Sequence, residues 1–218
     1  FGQNATWTGG QYTLKMDLYE PEGDTETERP LLIWVHGGSF MFGDKTDYDV
    51  VQFSERFAKK GFVCASINYR LGIFPLDSAN AVKAVVRATQ DLRAAIRFFH
   101  KDKQEGNAYK IDTSKIFVGG SSAGAITALH VGYLDDVCEI EDYLNESTIQ
   151  SMGGLEGTSG NPGYPSNVHG VINGCGALAR YCWMAAGDVP LCSFHGTEDG
   201  VVTYNRGVVN PGIPLMYL

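Results

Sequence analysis

The sequence predicts an α/β fold, a mostly parallel sheet with helices on both faces. Three observations predict it. Five short, continuous apolar runs recur along the chain, as strands buried on both faces of a parallel sheet require. Segments with helical spacing alternate with them, the pattern of a doubly wound domain. Four of the five runs end in glycine-rich or otherwise unusual sequence, and ligands of such sheets sit beyond the carboxyl ends of strands.

The elements follow in order. Residues 12–19 alternate, Leu14, Met16 and Leu18 against Lys15, Asp17 and Tyr19, and read as a half-exposed strand. Residues 21–30 are acidic and turn-rich, hence a surface loop. Leu31-Leu32-Ile33-Trp34-Val35 is the first buried run. Residues 50–60 place Val50, Phe53 and Phe57 on one face of a helix that Gly61 ends. Residues 62–67 are the second run. The clearest helix spans 78–101: Val82, Val85, Val86, Thr89, Leu92, Ile96 and Phe99 recur at helical spacing, with Lys83, Arg87, Gln90 and Arg97 on the other face. Ile116-Phe117-Val118 is the third run, followed by a helix from Ser122 to about Tyr133. Residues 168–173 and 189–194 are the fourth and fifth. No repeat or low-complexity linker divides the chain. One domain is expected, with residues 135–167 as a cap or pocket-bordering insertion; the Gly/Pro/Ser-rich part from 151 to 167 reads as a long loop of functional type or as a disordered connector.

Composition excludes several classes. The chain has 218 residues, 44% hydrophobic and 19% charged, too apolar for a disordered tail. Lys+Arg 17 against Asp+Glu 25 gives a net charge of −8, so the basic footprint of a nucleic-acid binder is absent, and acidic polymers are disfavoured as substrates. No apolar run reaches the ~18 residues of a transmembrane segment. The chain begins at Phe1 without a Met or a signal-type segment, which suggests a processed form or a piece of something longer. Five cysteines do not make a disulfide scaffold. Cys64 reads as a buried thiol. A bridge among Cys175, Cys182 and Cys192 is left open, and an extracytoplasmic or secreted setting would favour it. Asn4-Ala5-Thr6 and Asn145-Glu146-Ser147 match the glycosylation pattern. Nothing suggests a metal or an organic cofactor.

The third run leads into Gly119-Gly120-Ser121-Ser122-Ala123-Gly124, a GxSxG pattern centred on Ser122. The bare pattern is weak, but a buried strand enters it and an Ala-rich helix leaves it, as a nucleophile elbow needs. Side chains at Gly120 and Gly124 would clash with neighbouring backbone, and Ser122 is held at a helix N-terminus that favours negative charge. The competing readings are an ordinary strand-to-helix turn and a phosphate loop, the latter lacking the P-loop Lys. The first run ends in His36-Gly37-Gly38-Ser39-Phe40. Glycines there let backbone N–H groups approach a developing oxyanion; the candidates are the N–H groups of Gly38 and Ser39, completed by Ala123 after the nucleophile. His36 reads as a loop anchor.

These motifs together resemble the α/β-hydrolase superfamily, specifically carboxylesterases of the HGG-loop type. Ile67-Asn68-Tyr69-Arg70-Leu71, Ala88-Thr89-Gln90-Asp91-Leu92-Arg93-Ala94-Ala95 and His195-Gly196-Thr197-Glu198-Asp199-Gly200-Val201-Val202 are similar to further family stretches, and the similarity spans about 14–202. Ser39 stands where many relatives have a third glycine. The resemblance implies a three-layer hydrolase sandwich, a carboxylic-ester substrate of small-molecule or lipid-like type, cleavage through an acyl-enzyme on Ser122, and Asp199 as the acidic triad member, with Glu198 as runner-up and a plain turn residue as the bland reading. Peptidase, amidase and thioesterase chemistry on the same fold remain alternatives, and oligomeric state is not legible.

The triad also needs a histidine after Asp199, and none of the five, His36, His100, His130, His169 and His195, stands there. His100 reads as a surface residue near a helix end, and His130 and His169 as structural. His195 precedes the acid and reads as closing a strand. The expectation is a chain lacking its last strand, helix and catalytic His; a pseudo-hydrolase that binds without turnover is the alternative. The apolar ending Ile213-Pro214-Leu215-Met216-Tyr217-Leu218 favours the first.

Overall fold

The computed structural model describes residues 1–23 and 25–209; residues 213–218, singled out above, lie outside them. The elements are β1 (Gly2–Ala5), β2 (Gln11–Leu14), β3 (Met16–Tyr19), β4 (Arg29–Val35), α1 (Tyr48–Ala58), β5 (Val63–Ile67), α2 (Ser78–Glu105), β6 (Ile111–Ser121), α3 (Ala123–Tyr133), α4 (Glu146–Ser151), β7 (Val171–Gly174) and β8 (Leu191–Phe194), with single 3₁₀ turns at Val137–Glu139 and Tyr181–Trp183. Six strands form one sheet in the order β3-β5-β4-β6-β7-β8, and β1 and β2 form a separate antiparallel ribbon. Within the sheet β3 is antiparallel to β5 and all other pairs are parallel.

The buried runs behave as their composition requires. Every side chain of β5 is buried, and Leu31, Ile33 and Val35 of β4 join Val63, Ala65 and Ile67 in the main core against Ala81, Ala84, Ala88, Leu92 and Ile96 of α2. On the opposite face Leu32, Trp34 and Cys64 pack toward Val50 and Phe57 of α1. Each fully buried Leu, Ile or Val contributes about 1.5–3 kcal/mol of transfer free energy, so two-sided burial of β4 and β5 fixes the centre of the sheet. The helix ends obey local chemistry. The Asp77 side chain accepts from Asn80 N–H and caps α2, and Gly106 at φ +132° ends it. Gly61 at φ +93° follows α1.

Several elements depart from expectation. The alternating stretch at 12–19 is two strands, because the Lys15 carbonyl accepts from Asn68 N–H between them and the chain changes sheets there. The third run is longer than its apolar centre and extends to Ser121. β7 and β8 are four residues each. All four residues of β8 are exposed, whereas its apolar sequence predicts burial: β8 is the edge of the described sheet and its faces are not covered by described residues. All five cysteines are free thiols, with only Cys64 buried. Burial pushes the Cys64 thiol up to about 12.

The segment at 135–167 packs against the body of the domain. Ile140, Leu144 and Ile149 form a small core with Val86, Leu134 and Trp183. Glu156 pairs with Arg93 and Arg97, each at 2.6 Å. Gln90 Nε2 donates to the Met152 and Gly154 carbonyls. Burial raises the Glu156 carboxyl, but Arg93, Ser166 and Arg97 outweigh it and hold the group below its ordinary value.

Candidate active site

Topology places the site. The chain leaves β4 to one side for β5, then returns to the other side of β4 for β6. The loops after β4 and β6 therefore diverge at a switch point, where a crevice opens at the carboxyl ends of strands. The register is explicit: Val35 lies opposite Gly120, and Ser121 opposite Gly174. The His36–Ser39 loop, Ser122 and the end of β7 are thereby neighbours.

Ser122 sits between β6 and α3 at φ +52° and ψ −120°. A non-glycine residue at positive φ costs of order 1–3 kcal/mol and persists only where its surroundings over-determine it. Here they do. Ser122 N–H donates to the Gly174 carbonyl at 2.8 Å, and its own carbonyl accepts from Ile126 N–H at 2.9 Å. A Cβ on Gly124 would lie 2.0 Å from the Val35 carbonyl oxygen, and one on Gly120 would lie 2.4 Å from the Gly124 carbonyl carbon. Ser121 Oγ donates to Asp49 of α1, a tie from a loop–helix segment that the sequence did not single out.

The loop after β4 faces this elbow. A Cβ on Gly37 would lie 3.5 Å from Ser122 Cβ. Gly38, Ser39 and Phe40 all have positive φ, +106°, +53° and +58°. Met41 and Phe42 N–H groups both donate to the Gly38 carbonyl at 2.9 Å, closing the turn. Ala123, at the first position of α3, is buried; an N–H there has no intrahelical acceptor. His36 is fully buried and its Nδ1 donates to the Gly37 carbonyl at 2.7 Å. Burial holds its ring below the usual imidazole value, so it is neutral and anchors the loop.

Asp199 follows β8, two strands from Ser122. The strand before it, β8, is two places from β6 in the sheet, with β7 between them. Asp199 Oδ1 accepts from Val201 and Val202 N–H at 2.9 and 3.0 Å. Those two bonds, with His195 nearby, lower its carboxyl below the ordinary value, so it is ionised at neutral pH. Glu198 is exposed.

The other histidines take separate places. His195 Nε2 donates to the Val202 carbonyl at 2.7 Å and lies 3.3 Å from Asp199 Oδ2, bracing the acid loop. His130 on α3 donates to the Ile126 carbonyl and packs edge-on to Trp183; burial pushes it down to about 4. His169 accepts from Ile116 N–H, toward the entry side of β6. His100 is not the surface residue its position predicts: it is half-buried, its Nε2 has no partner, and burial followed by His169 lowers its ring. A cavity of about 460 Å³ starts one turn beyond Ser122, with Val82, Val85, Ile126, His130, Ile140 and Tyr143 among its lining. Among the described residues no His/Cys/Asp/Glu group is arranged to hold a metal, and no helix is long and apolar enough to cross a membrane.

This sheet, with a strained serine at the switch point and a glycine loop against it, has the α/β-hydrolase fold. The chain matches the model of the BD-FAE family over residues 16–154 and belongs to that family. Among curated relatives, Lipase 1 of Geotrichum candidum is 26% identical over 183 residues, 80% of this chain and 31% of the relative. Gut esterase 1 of Caenorhabditis briggsae is 27% identical over 154 residues, 70% of this chain and 26% of the relative. The chain thus spans less than a third of the length of these two relatives. The apo form of Thermogutta terrifontis esterase 2 superposes with a TM-score of 0.66 at 21% identity, covering 88% of this chain and 70% of that one; it shows the shared fold.

Proposed function

We propose that the protein hydrolyses carboxylic esters through an acyl-enzyme on Ser122. The observation that carries this reading is the positive-φ Ser122 at the head of α3, with Gly37 so close that a Cβ on it would lie 3.5 Å from Ser122 Cβ. Ser122 Oγ bonds to the acyl carbon while a general base takes its proton. The carbonyl oxygen becomes an oxyanion facing the N–H groups of Gly38, Ser39 and Ala123, at the positively polarised end of α3. Collapse expels the alcohol, which leaves with the proton from the base, and water then releases the acid by the same steps in reverse. The base is a histidine that the Asp199 carboxylate holds in the productive tautomer; none of the five histidines here follows Asp199 in the chain. The esterase and lipase names of the relatives support this chemistry.

The substrate is a small-molecule or lipid-like ester. Its apolar part enters the cavity beside α3, and the 135–167 insertion borders that pocket through Ile140 and Tyr143. Hydrolysis of p-nitrophenyl acetate and fluorophosphonate labelling by the natural protein test the reading. Ser122→Ala is expected to remove both, with a fall in kcat of at least about 10⁴-fold. A variant that keeps a near-normal rate would sink the assignment.

A further inference from the structure

The glycine loop aims its N–H groups only if its peptide planes are held, and the residue that holds them comes from β5. Tyr69 follows β5, is 1% exposed, and is absent from the site residues named so far. Its hydroxyl lies 3.1 Å from the His36 carbonyl and 3.3 Å from the Gly37 carbonyl. Its ring stacks on the His36 ring at 4.5 Å and meets Phe40 edge-on at 6.1 Å. Three residues further along, Gly72 N–H donates to the Phe40 carbonyl at 2.8 Å. The turn after β5 thus grips the glycine loop at both ends.

The consequence follows from peptide geometry. A trans peptide points its C=O and its N–H in opposite directions within one plane. The Gly37 carbonyl and the Gly38 N–H belong to the same peptide, as do the His36 carbonyl and the Gly37 N–H. Holding those carbonyls toward Tyr69 turns the attached N–H groups away from it. The Gly37 carbonyl accepts from both Tyr69 Oη and His36 Nδ1, and hydrogen bonds to an amide oxygen polarise the amide and strengthen its N–H as a donor. Burial, with Asp47 nearby, pushes the Tyr69 hydroxyl up from its ordinary value; it stays protonated, and so a donor, wherever a serine esterase works.

We propose that Tyr69 is a positioning residue for the oxyanion donors: its hydroxyl, together with His36, fixes and polarises the peptide that carries the Gly38 N–H. This rests on the ester-hydrolase reading. Its test is Tyr69→Phe in the natural protein, which keeps the ring stack and removes only the hydroxyl. The expected result is a fall in kcat of about 10–100-fold, somewhat less than for losing a donor outright, with KM within about threefold. Affinity for a trifluoromethyl ketone, whose adduct carries the oxyanion, should fall in parallel with kcat/KM, while the pH–rate profile keeps its position. A role confined to packing would lower the melting temperature but leave both kcat and ketone affinity near wild type, and that outcome overturns the proposal while Ser122-dependent activity stands. Absence of any Ser122-dependent esterase activity in the unmodified protein overturns the parent reading and this proposal with it.

Discussion

Removing Asp91, a buried and ion-paired carboxylate, should cost this fold heavily. It lies on α2 with no exposed surface, and its carboxylate accepts from Arg70 N–H at 2.8 Å, from Arg70 Nε at 2.9 Å and from Ser159 Oγ at 2.6 Å. Arg70 NH2 lies 2.9 Å from Asp91 Oδ1, and Arg70 is itself buried. Three parts of the molecule meet there: the turn after β5, helix α2, and the attachment that carries Ser159. Asp91→Ala leaves a guanidinium in the interior with neutral partners only, the Ala5 and Arg87 carbonyls, Gln90 and Ser159. Breaking one partner out of a buried ion pair costs about 3–5 kcal/mol. For a domain of this size each kcal/mol lowers Tm by about 2–4 °C, so a fall of roughly 6–20 °C is expected by calorimetry. Asp91→Asn keeps an acceptor and should lose distinctly less. If Asp91→Ala costs under about 1 kcal/mol, the pair is not the desolvated tie described, and the reasoning from burial and hydrogen bonding fails.

Two further predictions concern the elbow and acid stability. Gly124→Ala should destabilise by at least about 1–3 kcal/mol, the usual cost of overpacking, because its new methyl would meet the Val35 and His36 carbonyls, which are backbone and cannot rotate aside; a melting curve unchanged from wild type would contradict that contact. Glu156, with a lowered carboxyl pKa, contributes stability that is full above its ordinary value of 4.5 and is lost as pH falls through the lower folded value; Glu156→Gln should flatten the acid limb of a stability–pH profile below about pH 4.5, and an identical acid limb in both proteins would refute the role of the Arg93 and Arg97 pairs.

Much of the architecture was legible because it follows from local rules. Continuous apolar runs at 31–35 and 62–67 suit strands in a sheet covered on both faces. The spacing in α2 has only one period. Ser122 was readable because the tight turn demands glycine at 120 and 124, and few other contexts place those glycines between a buried strand and an Ala-rich helix. The members of the site that sequence did not announce are those joined through space. Asp49 reaches Ser121 across 72 positions, and Tyr69 reaches His36 across 33; no periodicity links such pairs.

The sequence alone determined the order of elements, the elbow and the glycine loop, since these depend on propensity, pattern and the steric freedom of individual residues. Tertiary structure decided the rest. The switch point beside β4 brings the two glycine turns within contact distance. Strand pairing sets Asp199 two strands away from Ser122. Burial makes His36 a neutral anchor and Tyr69 a permanent donor. The exposed β8, apolar in sequence, shows the same division: composition states what a strand would bury, and only its neighbours decide whether it is covered.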